Sequence, residues 1–192
     1  MTRVDDDTID LVVTSPPYPM IGMWDVQFAA ADWQDTLPDA ENFCRAAVIA
    51  AWQGASKNVT RAIAGHSVEV SLYLTGDNEV VALNSTFRER AAATNVLSFP
   101  GMVEEDFSAL PDDAPVLLGD VVIAFGVTER ESRKQNKPLA NHLSHLVVHG
   151  MLHLLGYDHI EEDGAEVMER LETMVLADLA IVDPYVYDNT AT

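Results

Sequence analysis

Cysteine is nearly absent from this chain. Cys44 is the only one, so an intramolecular disulfide is excluded and nothing points to an oxidising compartment. On the helix-like run Asp39 to Trp52 it reads as a small buried hydrophobe. Long apolar runs are missing as well. No stretch approaches the roughly 20 apolar residues of a membrane span. The short run Leu11-Val12-Val13, preceded by Asp5, Asp6 and Asp7, has neither the length nor the basic flank of a secretory signal. The expected location is the cytoplasm, with no membrane partner. Basic residues are scarce: 11 Lys and Arg stand against 31 Asp and Glu, a formal net charge of −20. Such a balance disfavours indiscriminate binding of polyanions. The deficit is uneven, because residues 45–90 hold Arg45, Lys57, Arg61, Arg88 and Arg90 against Glu69, Asp77, Glu79 and Glu89. There is no internal repeat, no low-complexity segment and no glycine-rich loop.

That last absence bears on the N-terminus. Asp10 to Tyr18 (DLVVTSPPY) resembles the Ser/Asp-Pro-Pro-Tyr motif of amino-group DNA methyltransferases. Without a glycine-rich loop for the methyl donor, the paired prolines read as a turn or linker. Residues 1–22 are therefore expected to form an extension outside the domain, which runs over 23–187, with 188–192 as a frayed tail.

A chain of 192 residues with 48% hydrophobic content fits one domain with a real core. Val26 to Ala30 reads as a short strand and Asp39 to Trp52 as a helix capped by Asp39. Val68 to Thr75 alternates as a half-buried strand, and Asn78 to Phe87 suits a helix ending at Arg88. Thr94 to Phe99 and Val116 to Phe125 are further strands, the second nearly all apolar and so central. Residues 101–115 read as an acidic loop. Thr128 to Asn136, Asn141 to Leu155 and Gly164 to Leu179 complete the helices. On the last, Val167, Leu171, Met174, Val175 and Leu179 line one side, with Met174 expected in the core. Together these give an α+β fold, a small mixed sheet covered by helices.

The most informative stretch is His149 to His159 (HGMLHLLGYDH). On a helix, His149 and His153 stand one turn apart on the same face. Gly156 supplies the conformation that ends a helix and returns His159 to the same point. Three imidazoles converging this way can hold one zinc ion and leave its fourth position open, as in a catalytic site. The spacing is also that of metzincin peptidases, whose motif begins His-Glu. Here Gly150 takes the place of the glutamate and can serve as neither base nor acid.

Four blocks of the chain are similar to the bacterial YbeY proteins, metal-dependent endoribonucleases and rRNA maturation factors. They are Leu83-Asn84 with Phe87-Arg88, Thr94 to Pro100 (TNVLSFP), Leu118-Gly119-Asp120, and His145 to His159. The resemblance covers roughly residues 24–186. It implies a zincin-like architecture and one zinc ion per chain on His149, His153 and His159. It implies zinc-dependent cutting of single-stranded RNA in rRNA processing, at the 16S rRNA 3′ end, and in ribosome quality control. Ribosomal subunits or assembly factors are the implied partners. Arg88, matching the family's arginine, would hold a phosphate oxygen and neutralise charge in the transition state; otherwise it is a solvated helix-end charge. The family usually follows this arginine with a Gly-Lys-Asp-like turn and a proline, where this chain has Glu89-Arg90-Ala91-Ala92-Ala93. Asp158 is a further catalytic candidate, orienting a histidine or assisting proton transfer, or else a cap for the turn. His145, one turn before His149, either reaches substrate or is a packing residue. Two other functions share the metal site: a zincin-like metallopeptidase, and a non-catalytic zinc-containing ribosome-assembly factor.

Overall fold

The computed structural model describes residues 9–12, 29–54, 68–101, 111 and 116–185. A four-stranded mixed sheet, in the order β1-β2-β4-β3, holds Ile9–Val12, Val68–Thr75, Val116–Ala124 and Val96–Pro100 as β1, β2, β4 and β3. β1, β2 and β4 run parallel, and β3 is antiparallel to β4. The six helices described are α1 (Ala29–Thr36), α2 (Ala40–Gly54), α3 (Asp77–Arg88), α4 (Phe125–Lys134), α5 (Leu139–Leu154) and α6 (Glu162–Asp178). The α+β class and the central place of Val116–Ala124 agree with the sequence.

Strand periodicity decides which face each helix covers. Val68, Val70 and Leu72 of β2 point with Val121 and Ile123 of β4 toward α2 and α5, forming the main core. The opposite face presents Leu97, Val122 and Ala124 to Val80 and Leu83 of α3. Along β4 the alternation shifts at Gly119, where φ is +137° and an added Cβ would lie 2.2 Å from the Phe99 carbonyl oxygen. Leu118 is the extra residue between the pairs Glu69–Leu117 and Val70–Gly119, a bulge whose second position, Gly119, takes a conformation only glycine tolerates here. It turns Asp120 to the α3 face, where burial raises its carboxyl above the ordinary range despite a hydrogen bond with Ser71.

The structure departs from expectation in three places. A strand is expected over Val26 to Ala30, but Ala29 and Ala30 begin α1, and residues 26–28 lie outside those described. α1 is held by Trp33, 1% exposed, whose indole packs edge-on to Phe125 and donates to the Thr75 carbonyl at 3.3 Å. Ile9–Val12 falls in the stretch read as an extension, yet it lies in parallel register beside β2, Ile9 opposite Val68. The Ser15 to Tyr18 motif, most of the acidic loop and the tail at 188–192 lie outside the described residues.

The third departure is the face of α6. Val167 and Met174 point to solvent, 42% and 60% exposed, and the buried stripe is Met168, Glu172, Val175 and Leu176. Met174 is not a core residue. The stripe follows i, i+4, i+7, i+8, so its helical spacing is regular. A glutamate in it made the neighbouring apolar stripe look like the inner one. Cys44 is fully buried, as expected, and burial, with Glu41 nearby, pushes its thiol up to about 12.

Candidate metal centre

Helix α5 is clamped between the sheet and α6, which fixes what its histidines face. Gly150 turns inward, where an added Cβ would meet the Val121 Cγ1 methyl at 2.6 Å, and its carbonyl accepts from Ser98 Oγ of β3 at 3.2 Å. The helix therefore lies close on the sheet at the level of the first metal candidate.

Beyond Leu154 the backbone closes with two bonds, Gly156 N–H to the His153 carbonyl and Tyr157 N–H to the Leu152 carbonyl, both 3.0 Å. This is the Schellman pattern, and Gly156 takes the positive φ of +87° that it demands. The turn does more than end the helix. It presents the Tyr157 carbonyl to His153 Nδ1 at 3.0 Å and swings His159 over the two helical rings, with ring centroids 5.4 Å from His149 and 5.0 Å from His153.

The result is one cluster, His149, His153 and His159, whose ligand atoms all lie within 4.8 Å of one another. His149 Nε2 and His153 Nε2 are 3.1 Å apart. Nitrogens bound at about 2.0–2.1 Å to a tetrahedral zinc stand about 3.3–3.4 Å from each other, so the pair is already near that spacing. Since a carbonyl oxygen only accepts, His153 Nδ1 must carry the proton, and its Nε2 lone pair is free for a metal. Burial, followed by the charges of His149 and His159, lowers His153 to about 4, so the ring is neutral at ordinary pH.

A residue missed in the sequence completes the centre. Glu172 of α6, 0% exposed, places Oε1 2.7 Å from His149 Nδ1 and Oε2 3.0 Å from His145 Nε2, and it also accepts from the Tyr185 hydroxyl. Burial pushes this carboxyl up, but the bonds from His145, His149 and Tyr185 outweigh it and hold the group down at about 2. Tyr185 is pushed above its usual range by burial and by that carboxylate. The one sequence signal for Glu172 was its place in the i, i+4, i+7, i+8 stripe of α6.

The other candidates are placed differently. His145 meets Glu172 and is one helical turn from His149, outside the ligand cluster. Asp158 is exposed, and its Oδ1 accepts from Ile160 N–H at 3.1 Å, the contact of a turn cap. Arg88 is exposed at the end of α3, a helix whose Val80 and Leu83 cover the other face of the sheet, and its side chain has no ion pair or hydrogen bond to another described residue. Its neighbour Phe87 stacks edge-on against Phe99 of β3 at 5.3 Å, tying the helix end to the strand whose Ser98 reaches Gly150. The loop after Arg88 is anchored where the sequence left the family pattern: Asn84 donates to the Ala92 carbonyl at 2.7 Å, and Glu89 adopts the left-handed conformation at φ 54°.

Residues 39–180 match the family model for Endoribonuclease YbeY. A protein called Endoribonuclease YbeY in Rhizorhabdus wittichii is 47% identical over 159 residues, covering 82% of this chain and 93% of its own. One of that name in Bradyrhizobium diazoefficiens is 44% identical over 168 residues, covering 88% and 87%. Another, in Pseudomonas entomophila, reaches 52% over 122 residues, covering 64% and 74%. With the histidine cluster on its helix and turn, and matches of this extent, the chain belongs to the YbeY endoribonuclease family.

Proposed function

We propose that this protein is a zinc-dependent endoribonuclease that cuts single-stranded RNA in rRNA processing, at the 16S rRNA 3′ end, and in ribosome quality control. Its place would be the cytoplasm, with ribosomal subunits or assembly factors as partners. No helix among the described residues is long and apolar enough to cross a membrane. The observation that carries the reading is the convergence of His149 and His153 Nε2 at 3.1 Å, with His159 folded over them. A bound zinc ion supplies Lewis acidity toward a phosphoryl oxygen and makes hydroxide available near neutral pH. The protein contributes the rest. His149, His153 and His159 are the proposed ligands, and the Tyr157 carbonyl and Glu172 fix the protons on the two helical rings. Arg88 keeps its guanidinium unpaired among the described residues and is proposed to grip a phosphate oxygen as charge builds. Asp158 serves the turn that brings His159 into place, and His145 acts through Glu172.

The peptidase reading loses support at Gly150, where an added Cβ would crowd the Val121 Cγ1 methyl at 2.6 Å and Ser98 Oγ at 3.1 Å. The test is chelated and zinc-restored protein incubated in parallel with single-stranded RNA, structured RNA and casein. Zinc-dependent cutting of the single-stranded RNA is expected. Cutting of casein alone would replace this function with a peptidase, and zinc binding without cleavage would leave an assembly factor.

A further inference from the structure

We propose that Glu172 is a positioning residue that sets the ligand state of His149, and that residues 181–185 form a strap that keeps it dry and correctly partnered. The proposal rests on the metal reading of His149, His153 and His159. A carboxylate on the core side of α6 has no packing rationale, since its neighbours in the stripe, Met168, Val175 and Leu176, are apolar. A buried charge persists only where partners satisfy it. Glu172 has three, and they divide its oxygens: His149 meets Oε1, while His145 and Tyr185 share Oε2.

The division matters because a carboxylate accepts and never donates. His149 must present Nδ1–H to it, which turns the Nε2 lone pair toward His153. The two helical ligands are thus fixed by different partners, His153 by the neutral Tyr157 carbonyl and His149 by an anion. An anion behind the ring makes the imidazole the stronger electron donor. His145 and Tyr185, by occupying Oε2, leave Oε1 to His149 alone.

The strap is tied at both sides. Asp183 Oδ1 accepts from Tyr185 N–H at 2.9 Å and from Thr173 Oγ1, beside Glu172 on α6, at 3.4 Å. Lys137 Nζ donates to the Pro184 carbonyl at 2.8 Å. These bonds hold the Tyr185 ring 6.0 Å from that of His145 and its hydroxyl on Glu172.

The experiment uses full-length protein with Glu172→Gln, Tyr185→Phe and the double variant. It measures zinc affinity by chelator competition, the ring ¹⁵N shifts of His149, and melting of the metal-free protein. Glu172→Gln is expected to weaken zinc by about 10-fold to 100-fold, and to mix the His149 tautomers, because an amide can face the ring with either N–H or C=O. Tyr185→Phe should weaken zinc by less, and the double variant no more than Glu172→Gln alone, since Tyr185 acts through Glu172. Parent-like zinc affinity in Glu172→Gln, with only the melting temperature lowered, would reduce Glu172 to a structural role. Should Glu172→Gln not fold, Tyr185→Phe decides, and unchanged zinc affinity there overturns the proposal. A parent that binds no zinc overturns the metal reading and this inference together.

Discussion

A histidine serves as a ligand only when the right nitrogen is free, so at the scale of residues the centre is a matter of protons. His153 is held down at about 4 by burial and by its two histidine neighbours, against an ordinary value of 6.5. As pH falls from 6.5 toward 4, the unfolded chain takes up this proton before the folded one, and the folded state loses stability relative to it. Metal-free protein should therefore melt at progressively lower temperature across that window, and His153→Gln should flatten the dependence. Zinc affinity should fall as pH approaches about 4, where protons compete for the His153 lone pair. Arg88→Ala should leave melting temperature and zinc content at parental values, since an exposed arginine adds little stability. It should slow single-turnover RNA cleavage by about 100-fold to 1,000-fold, and parental cleavage would remove Arg88 from the mechanism. His149, His153 and His159 were legible because helix spacing and a turn glycine are local signals. Glu172 was not, because its partner His149 is 23 residues away and a lone glutamate on a helix ordinarily reads as a solvated face.

Among the elements, most were legible from periodicity, and Val68–Thr75 coincides with its expected bounds. The inner face of α6 was not, because choosing between adjacent stripes depends on how α2 and α5 meet it. The approach is close: an added Cβ on Gly54 of α2 would lie 2.5 Å from Val175 Cγ2. The loop after α3 shows strain of a specific kind. Glu89 occupies the left-handed region at φ 54°, which glycine adopts without a Cβ penalty. A side chain there costs roughly 1–2 kcal/mol. Glu89→Gly should accordingly stabilise the protein by about 1 kcal/mol, less whatever glycine loses in unfolded-state entropy. Urea denaturation would show this as a higher midpoint with unchanged slope.

For the whole molecule, the sheet separates two kinds of edge. β3 lies against α5 beside the histidines, whereas β1 lies at the far side on β2. Removing residues 1–22 takes β1 from that far edge. The truncated protein should melt several degrees lower yet retain one zinc per chain by elemental analysis, and loss of zinc would show that the N-terminal stretch supports the centre. Neither β1 nor α1 was legible, since short apolar runs such as Ile9–Val12 suit a strand or a linker equally until a neighbour is known.

One glycine reaches furthest. Gly150 leaves no room for a Cβ beside Val121, with Ser98 Oγ only 3.1 Å from where that atom would be. Gly150→Glu should give little folded protein and no casein cleavage, as seen by solubility and circular dichroism. In evolutionary terms, the RNA-cutting and peptide-cutting users of this histidine spacing are not neighbours separated by a single codon. A glutamate at 150 would need Val121 and Ser98 to give way as well, so the exchange asks for coordinated changes on the helix and on two strands.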